Sequence, residues 1–306
     1  YLPALPLILL NSAAFIMPPE AIEEHGDVKD WRNVVGTGPF ELTDYVQDSS
    51  VTRTRNSDYW GYDEKYPQNR LPYVDEIRVL IIPENATILA TMRTGKADFN
   101  MFTSIDEVKS IKRSNPEIVL HPFAFRSNDA FAANVRNPPF DDLRVRKAMQ
   151  MALDLETVST TYYSGNADPT PKGMIGVKGY MVPFDEWPEE VKKGYRYDPE
   201  GAEKLLDEAG YPRGADGTRF KTSLRVLGQG SYSQYAGIAV SYWAEIGVDV
   251  EINEFADWGQ YHAALFAGSY EGMMGSIGGA GFDPVMLVGW HRSDAQWNRP
   301  LHQWPE

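Results

Sequence analysis

Side chains able to do chemistry are few and scattered in this chain of 306 residues. Its five histidines, His25, His121, His262, His291 and His302, form no H-E-x-x-H pattern. A solitary histidine at such spacing is more often a packing or surface residue than a ligand. His291 and His302 sit near Trp290 and Trp304, at a spacing that suits no metal. Cysteine is absent, which excludes disulfides, thiolate metal sites and cysteine nucleophiles. Gly228-Gln229-Gly230 lies between a predicted strand and a predicted helix, as a dinucleotide-binding loop would. Ser233 takes the place of the third glycine, so the favoured reading is a tight turn presenting backbone amides at a helix start. That turn still lies beyond the carboxyl end of a strand, where open α/β sheets bind ligands. The acidic pairs Asp141-Asp142 and Glu189-Glu190 read as helix caps and solvated faces. With no nucleophile–base pair, ligand set or complete cofactor loop, the expectation is a binding protein with no catalytic residue, metal or cofactor.

The elements that would carry a binding site show one rhythm twice. Glu76–Ile82 alternates Ile77, Val79 and Ile81 as a strand does, and Asn85–Thr94 follows as a helix stopped by Gly95. Ala97–Phe102 reads as a second strand, Ser104–Ser114 as a helix with an acidic first turn, and Glu117–Phe123 as a third strand. The order recurs in Thr222–Leu227 (strand), Ser231–Ile246 (helix ended by Gly247), Val248–Glu254 (strand), a helix capped by Asp257 and running through Phe266, and Glu271–Ile277 (strand). Such alternation predicts two α/β lobes built on mainly parallel sheets. Between them, Asp141 or Asp142 caps a helix with Leu143, Val145, Ala148, Met149, Ala152 and Leu153 inward. Asp198-Pro199 opens another helix with Ala202, Leu205, Leu206 and Ala209 as its apolar stripe.

Composition narrows the partners. A net charge of −14 repels phosphate backbones and anionic lipid, so nucleic acid is not an expected ligand. Eight Trp and 17 Tyr exceed what a core of this size needs and favour a protein that grips ligands through rings. Tyr1 to Pro19 is apolar but has no basic start and carries Pro3, Pro6, Pro18 and Pro19, so it reads as neither a signal peptide nor a spanning helix. Both natural ends are expected to lie outside this sequence.

Six segments in register then carry a resemblance. They are Val35-Gly36-Thr37-Gly38-Pro39-Phe40 with Glu41-Leu42; Arg55-Asn56-Ser57-Asp58-Tyr59-Trp60; Leu71-Pro72-Tyr73-Val74-Asp75-Glu76-Ile77; Thr94-Gly95-Lys96-Ala97-Asp98; Asn134 with Pro138 to Ala148; and Tyr197-Asp198-Pro199 with Ala209-Gly210-Tyr211-Pro212. In this order the chain resembles the family 5 extracellular solute-binding proteins, the peptide and nickel receptors of ABC importers. The resemblance implies an α/β, two-lobed periplasmic-binding-protein fold, type II-like, with a small extra domain. It places 1–35 in the tail of that extra domain, 36–133 in lobe I and 134–306 in lobe II, both lobes incomplete. It further implies a monomer in the periplasm or outside the cell, free or lipid-anchored, whose partners are a small solute and an ABC permease.

Ligand residues follow from the same resemblance. Trp258 falls where oligopeptide-binding members keep a pocket Trp, and Asp283-Pro284 matches a family landmark. The acid that meets a peptide amino terminus is replaced by Ala280, nearby arginines by Leu265 and Met274, and a second pocket Trp by Ile277, within Ile277-Gly278-Gly279-Ala280-Gly281. A buried ammonium needs a charged partner, so either Glu254 or Asp257 has taken that task or the ligand carries no free amino terminus. The candidate ligand set is Trp258, Gly278, Gly279, Ala280, Asp283, Ile277, Tyr232, Gln229, Asn134 and Tyr261. Peptide is the family expectation. An oligosaccharide stacked on the rings is the alternative, and a ligand sensor or scaffold without transport is the reading from another class.

Overall fold

The computed structural model describes residues 18–101, 104–121, 128–171, 182–228, 232–267 and 270–278. They fall into two compact units, one holding 18–101 and 111–116 and the other holding the rest.

In the first unit, helix α1 (Pro19–His25) starts with Pro at its first position and stops at Gly26, whose φ of 79° suits a residue without Cβ. Strands β1 (Phe40–Val46), β2 (Ser50–Arg55) and β3 (Glu76–Leu80) then form an antiparallel sheet in the order β1-β2-β3. Helix α2 (Asn85–Arg93) follows; helix α3 (Ile105–Ser114) is divided between the units, its residues from Ile111 on belonging to this one, where Asn115 Nδ2 donates to the Arg93 carbonyl. Two expectations need correcting here. Residues 97–101 and 117–121 form no strand, and the sheet is antiparallel throughout rather than mainly parallel. A strand needs a neighbour for its backbone and a surface for its apolar face. Phe99 and Met101, which the expected strand would have buried, are 80% and 57% exposed.

The second unit keeps the predicted α/β order. Strands β4 (Asn128–Ala133), β5 (Phe220–Leu227), β6 (Val248–Phe255) and β7 (Met273–Gly278) make a sheet in the order β4-β7-β5-β6. β5 runs parallel to both β6 and β7, whereas β4 is antiparallel to β7. β4 therefore shares a sheet with segments on the far side of the expected 133/134 boundary. Helices α4 (Leu143–Met151), α5 (Pro199–Glu208), α6 (Tyr232–Glu245) and α7 (Trp258–Ala267) are the longer helices of the unit.

Period-2 alternation along β5 explains the core. Leu224 and Val226 join one buried cluster with Val145, Ala148 and Met149 of α4, Ala202 and Leu206 of α5, and Ala239 and Trp243 of α6. Leu227 joins a second cluster with Tyr261 and Leu265 of α7, Tyr270 and Met274. Trp243 is 2% exposed and its indole N–H donates to the Met149 carbonyl at 2.9 Å, locking α6 to α4. The predicted starts hold: Asp142 accepts from Arg144 N, Asp198 from Gly201 N and Asp257 from Gln260 N, each a cap worth about 1 kcal/mol. Gly247, with φ 83°, ends the α6 segment as expected. No helix among the described residues is long and apolar enough to cross a membrane.

Two contacts hold the sheet together. Gly272 has no room for a methyl group, since a Cβ there would stand 2.3 Å from the Ser223 carbonyl oxygen and 2.9 Å from the Ser223 nitrogen. At the amino end of β5, the Arg219 side chain is 2% exposed. It donates to the carbonyls of Ile246 (2.9 Å) and Tyr211 (2.8 Å) and to the carboxylates of Glu203 and Asp207. Hydrogen bonds from Arg213, then from Arg219, hold the Glu203 carboxyl well below its usual 4.5, at about 2.

Gly272→Ala should cost about 3 kcal/mol, read as a lower urea midpoint with an unchanged slope, because backbone rather than a flexible side chain must give way. The Glu203 shift fixes a pH window. The folded state favours the deprotonated form, so its contribution is complete above the unfolded value near 4.5 and is lost as pH falls toward about 2. Glu203→Gln should lower stability at neutral pH and flatten the loss between about pH 4.5 and 2.

Candidate functional site

The carboxyl edge of the four-stranded sheet collects the ring side chains singled out in the sequence. β5 and β6 end in register, Leu227 opposite Phe255, and Gly228 N extends the pairing by donating to the Phe255 carbonyl at 2.9 Å. A Cβ on Gly228 would stand 2.9 Å from Glu254 Oε2 and 3.3 Å from that carbonyl, so the glycine lets a carboxylate lie against the turn. From here the chain enters α6 at Tyr232 and α7 at Trp258.

Trp258 is 40% exposed although three rings surround it. Tyr232 meets it at 5.8 Å with planes at 90°, and Tyr261 at 5.5 Å and 82°. His262, one helical turn along α7, stacks on it at 5.3 Å and 27°. The shell continues inward from Tyr232 to Tyr235, Phe131 and Trp243 at centroid spacings of 5.9, 5.4 and 5.2 Å. An accessible indole is thus tied ring by ring to the core of its unit. Such edge and offset contacts each add about 0.5–1.5 kcal/mol beyond burial.

The other predicted residues divide into three groups. Tyr261 is only 4% exposed, and its hydroxyl donates to the Gly275 carbonyl at 2.7 Å, so it supports Trp258 from within the core. Asn134 is also buried. Its Nδ2 donates to the Tyr270 carbonyl at 2.6 Å, its Oδ1 accepts from Arg136 N, and its own N–H donates to the Gly272 carbonyl. Its amide clips the end of β4 to the start of β7. Ile277 and Gly278 stand at the carboxyl end of β7, opposite Asp129 and Asn128 in the β4 register. Gln229, Gly279, Ala280 and Asp283 lie outside the described residues.

Of the two acids considered for an ammonium partner, Asp257 commits Oδ1 to the α7 cap at 3.0 Å, whereas Glu254 lies exposed against the β5–α6 turn. Burial pushes the Tyr270 phenol well above its ordinary range, so it behaves as a neutral packing group. No three His, Cys, Asp or Glu side chains among the described residues stand together as a metal set. A separate open depression of about 470 Å³ lies between α4 and the short helix Glu189–Lys193, with Leu143, Lys147, Val191 and Tyr195 on its walls, and it holds none of the predicted residues. By type alone His262 is one more solitary histidine. Its i, i+4 spacing from Trp258 behind the Asp257 cap was the available signal.

Tyr261→Phe should cost about 1 kcal/mol of stability through the unpaired Gly275 carbonyl, with retained secondary structure by circular dichroism.

Comparisons with known proteins agree with this architecture. The family model described as Bacterial extracellular solute-binding proteins, family 5 Middle, matches residues 3–299. Heme-binding protein A of Haemophilus influenzae is 28% identical over 227 residues, 74% of this chain and 38% of that protein. A glutathione-binding protein of Salmonella paratyphi A is 30% identical over 208 residues, 68% of this chain and 37% of that protein. The periplasmic binding protein DppA of Helicobacter pylori, solved with the peptide STSA, matches with a TM-score of 0.77 at 24% identity, over 97% of this chain and 55% of that one. The chain thus spans well under half the length of these two curated relatives and about half that of the solved one.

Proposed function

This chain belongs to the bacterial extracellular solute-binding proteins of family 5, and from that premise we propose that it captures a peptide-type solute for an ABC importer without chemical turnover. The observation that carries the reading is Trp258, an indole kept 40% accessible by a shell of rings at the carboxyl edge of a largely parallel sheet. Such edges are where open α/β sheets take ligands. A peptide is the favoured class because one relative is named for glutathione and a solved relative holds a tetrapeptide. Trp258 stacks on a side chain or peptide plane, Tyr232 borders it, and Glu254 offers its carboxylate to a ligand ammonium. Ile277, Gly278, Gly279, Ala280, Asp283 and Gln229 complete the proposed wall, with Asn134 and Tyr261 holding it from behind.

The lobe carrying this wall begins in this reading at β4 rather than at residue 134, because β4 pairs with β7. Residues 36 onward supply the other lobe, and 1–35 the tail of an extra domain. The protein works as a monomer outside the cytoplasm, lipid-anchored or free, and hands its solute to a permease. An oligosaccharide could use the same indole face, and a sensor without transport could use the same wall.

Thermal shift and calorimetry on the full-length protein separate these readings. Glutathione and tri- to tetrapeptides should raise Tm through mass action, while cello- and xylo-oligosaccharides should leave it unchanged. Trp258→Ala should weaken peptide binding by about 1–3 kcal/mol, roughly 5- to 150-fold. A shift with oligosaccharides alone would overturn the peptide assignment. Solute uptake that persists in cells lacking the protein would favour the sensor.

A further inference from the structure

We propose that His262 is a positioning residue that fixes the indole of Trp258 for ligand stacking, an inference resting on the reading of Trp258 as a ligand-facing ring. The torsion about Cβ–Cγ of a tryptophan is soft and broadly populated, so an accessible indole takes its orientation from its neighbours. Three neighbours act here, and they do different things. Tyr232 and Tyr261 stand nearly perpendicular to the indole, at 90° and 82°. Perpendicular rings limit translation but give the ring no parallel surface to rest on. Among the described residues, only His262 lies nearly parallel to it, with planes at 27° and centroids 5.3 Å apart.

Helical geometry makes this contact systematic. Positions i and i+4 lie one above the other on a helix, and the Asp257 cap, accepting from Gln260 N at 3.0 Å, fixes the first turn that carries Trp258. Tyr261 keeps that turn on the sheet through the Gly275 carbonyl and lies 5.4 Å from the His262 ring. His262 is half-buried, so its ring is confined while Trp258 remains 40% exposed. The imidazole therefore gives the indole its one near-parallel, offset neighbour among the described residues. The accessible remainder is offered in a fixed attitude, and the ordering cost of that ring is met before ligand arrives. A flat or apolar ligand group, such as a peptide plane or an aliphatic side chain, is the class this arrangement receives.

The test uses the full-length protein and two readouts. In the first, without ligand, the near-ultraviolet circular dichroism and acrylamide quenching of Trp258 are isolated by subtracting the Trp258→Phe spectrum. His262→Ala should abolish most of the Trp258 dichroic band and raise its quenching, and His262→Phe, which keeps a flat ring, should restore both. Unchanged signals in His262→Ala overturn the proposal. In the second, glutathione and the tetrapeptide Ser-Thr-Ser-Ala are titrated by calorimetry. One ring–ring contact sets the expected effect, so His262→Ala should weaken binding by about 2- to 10-fold and His262→Phe should return it to within two-fold. If Trp258→Ala weakens binding while His262→Ala loosens the ring without changing affinity, positioning for binding is overturned. If Trp258→Ala changes no affinity, or neither probe binds, the functional reading fails instead, and the ligand-free readout alone decides whether His262 orders the indole.

Discussion

β5 has parallel neighbours on both sides and, along its carboxyl half, buried clusters above and below, while Lys221 near its amino end stays exposed. Leu224 and Val226 feed one cluster while Leu227 feeds the other. α4, α5 and α6 can settle against the sheet only because this alternation supplies a dry surface, and α7 depends in the same way on the opposite one. Both ends of β5 are also fixed. Arg219 ties the amino end to the ends of α5 and α6, and the Gly228–Phe255 hydrogen bond carries pairing with β6 past the last strand residue. The rings of Tyr232 and Trp258 follow that second end. Their geometry is inherited from a strand that cannot slide without exposing a core.

Local chemistry was the legible part of this architecture. Asp142, Asp198 and Asp257 announce helix starts because a short acceptor side chain is what a free helix amine end needs, and all three cap where expected. Gly247 announces an end for the complementary reason. Where neighbours decide, the sequence misled. The alternation of Glu76–Ile82 yields β3, but residues 97–101 and 117–121 have strand-like composition without a strand beside them. The antiparallel order β1-β2-β3 depends on pairings that no local pattern reports.

The candidate site divides along the same line. Trp258 and Tyr232 were recognisable as rings near a strand end, and they do come together. Asn134 and Tyr261 were named as ligand residues, yet their polar atoms meet the carbonyls of Tyr270 and Gly275, a use of side chains that composition cannot distinguish from ligand contact. His262 was passed over because isolated histidines are usually uninformative. Only the helix brings its ring alongside Trp258. Residue type indicates which groups could bind, and burial determines which of them are spent on the scaffold.

Gly272 and Trp258 lie in one unit but differ in how far they can vary. At Gly272 even a single carbon collides with backbone, whereas Trp258 faces open space over two fifths of its surface. Heritable change therefore meets a hard floor beneath the sheet and a permissive rim above it. A lineage can exchange the ring and its charge environment in single steps, without ever renegotiating how β7 lies on β5.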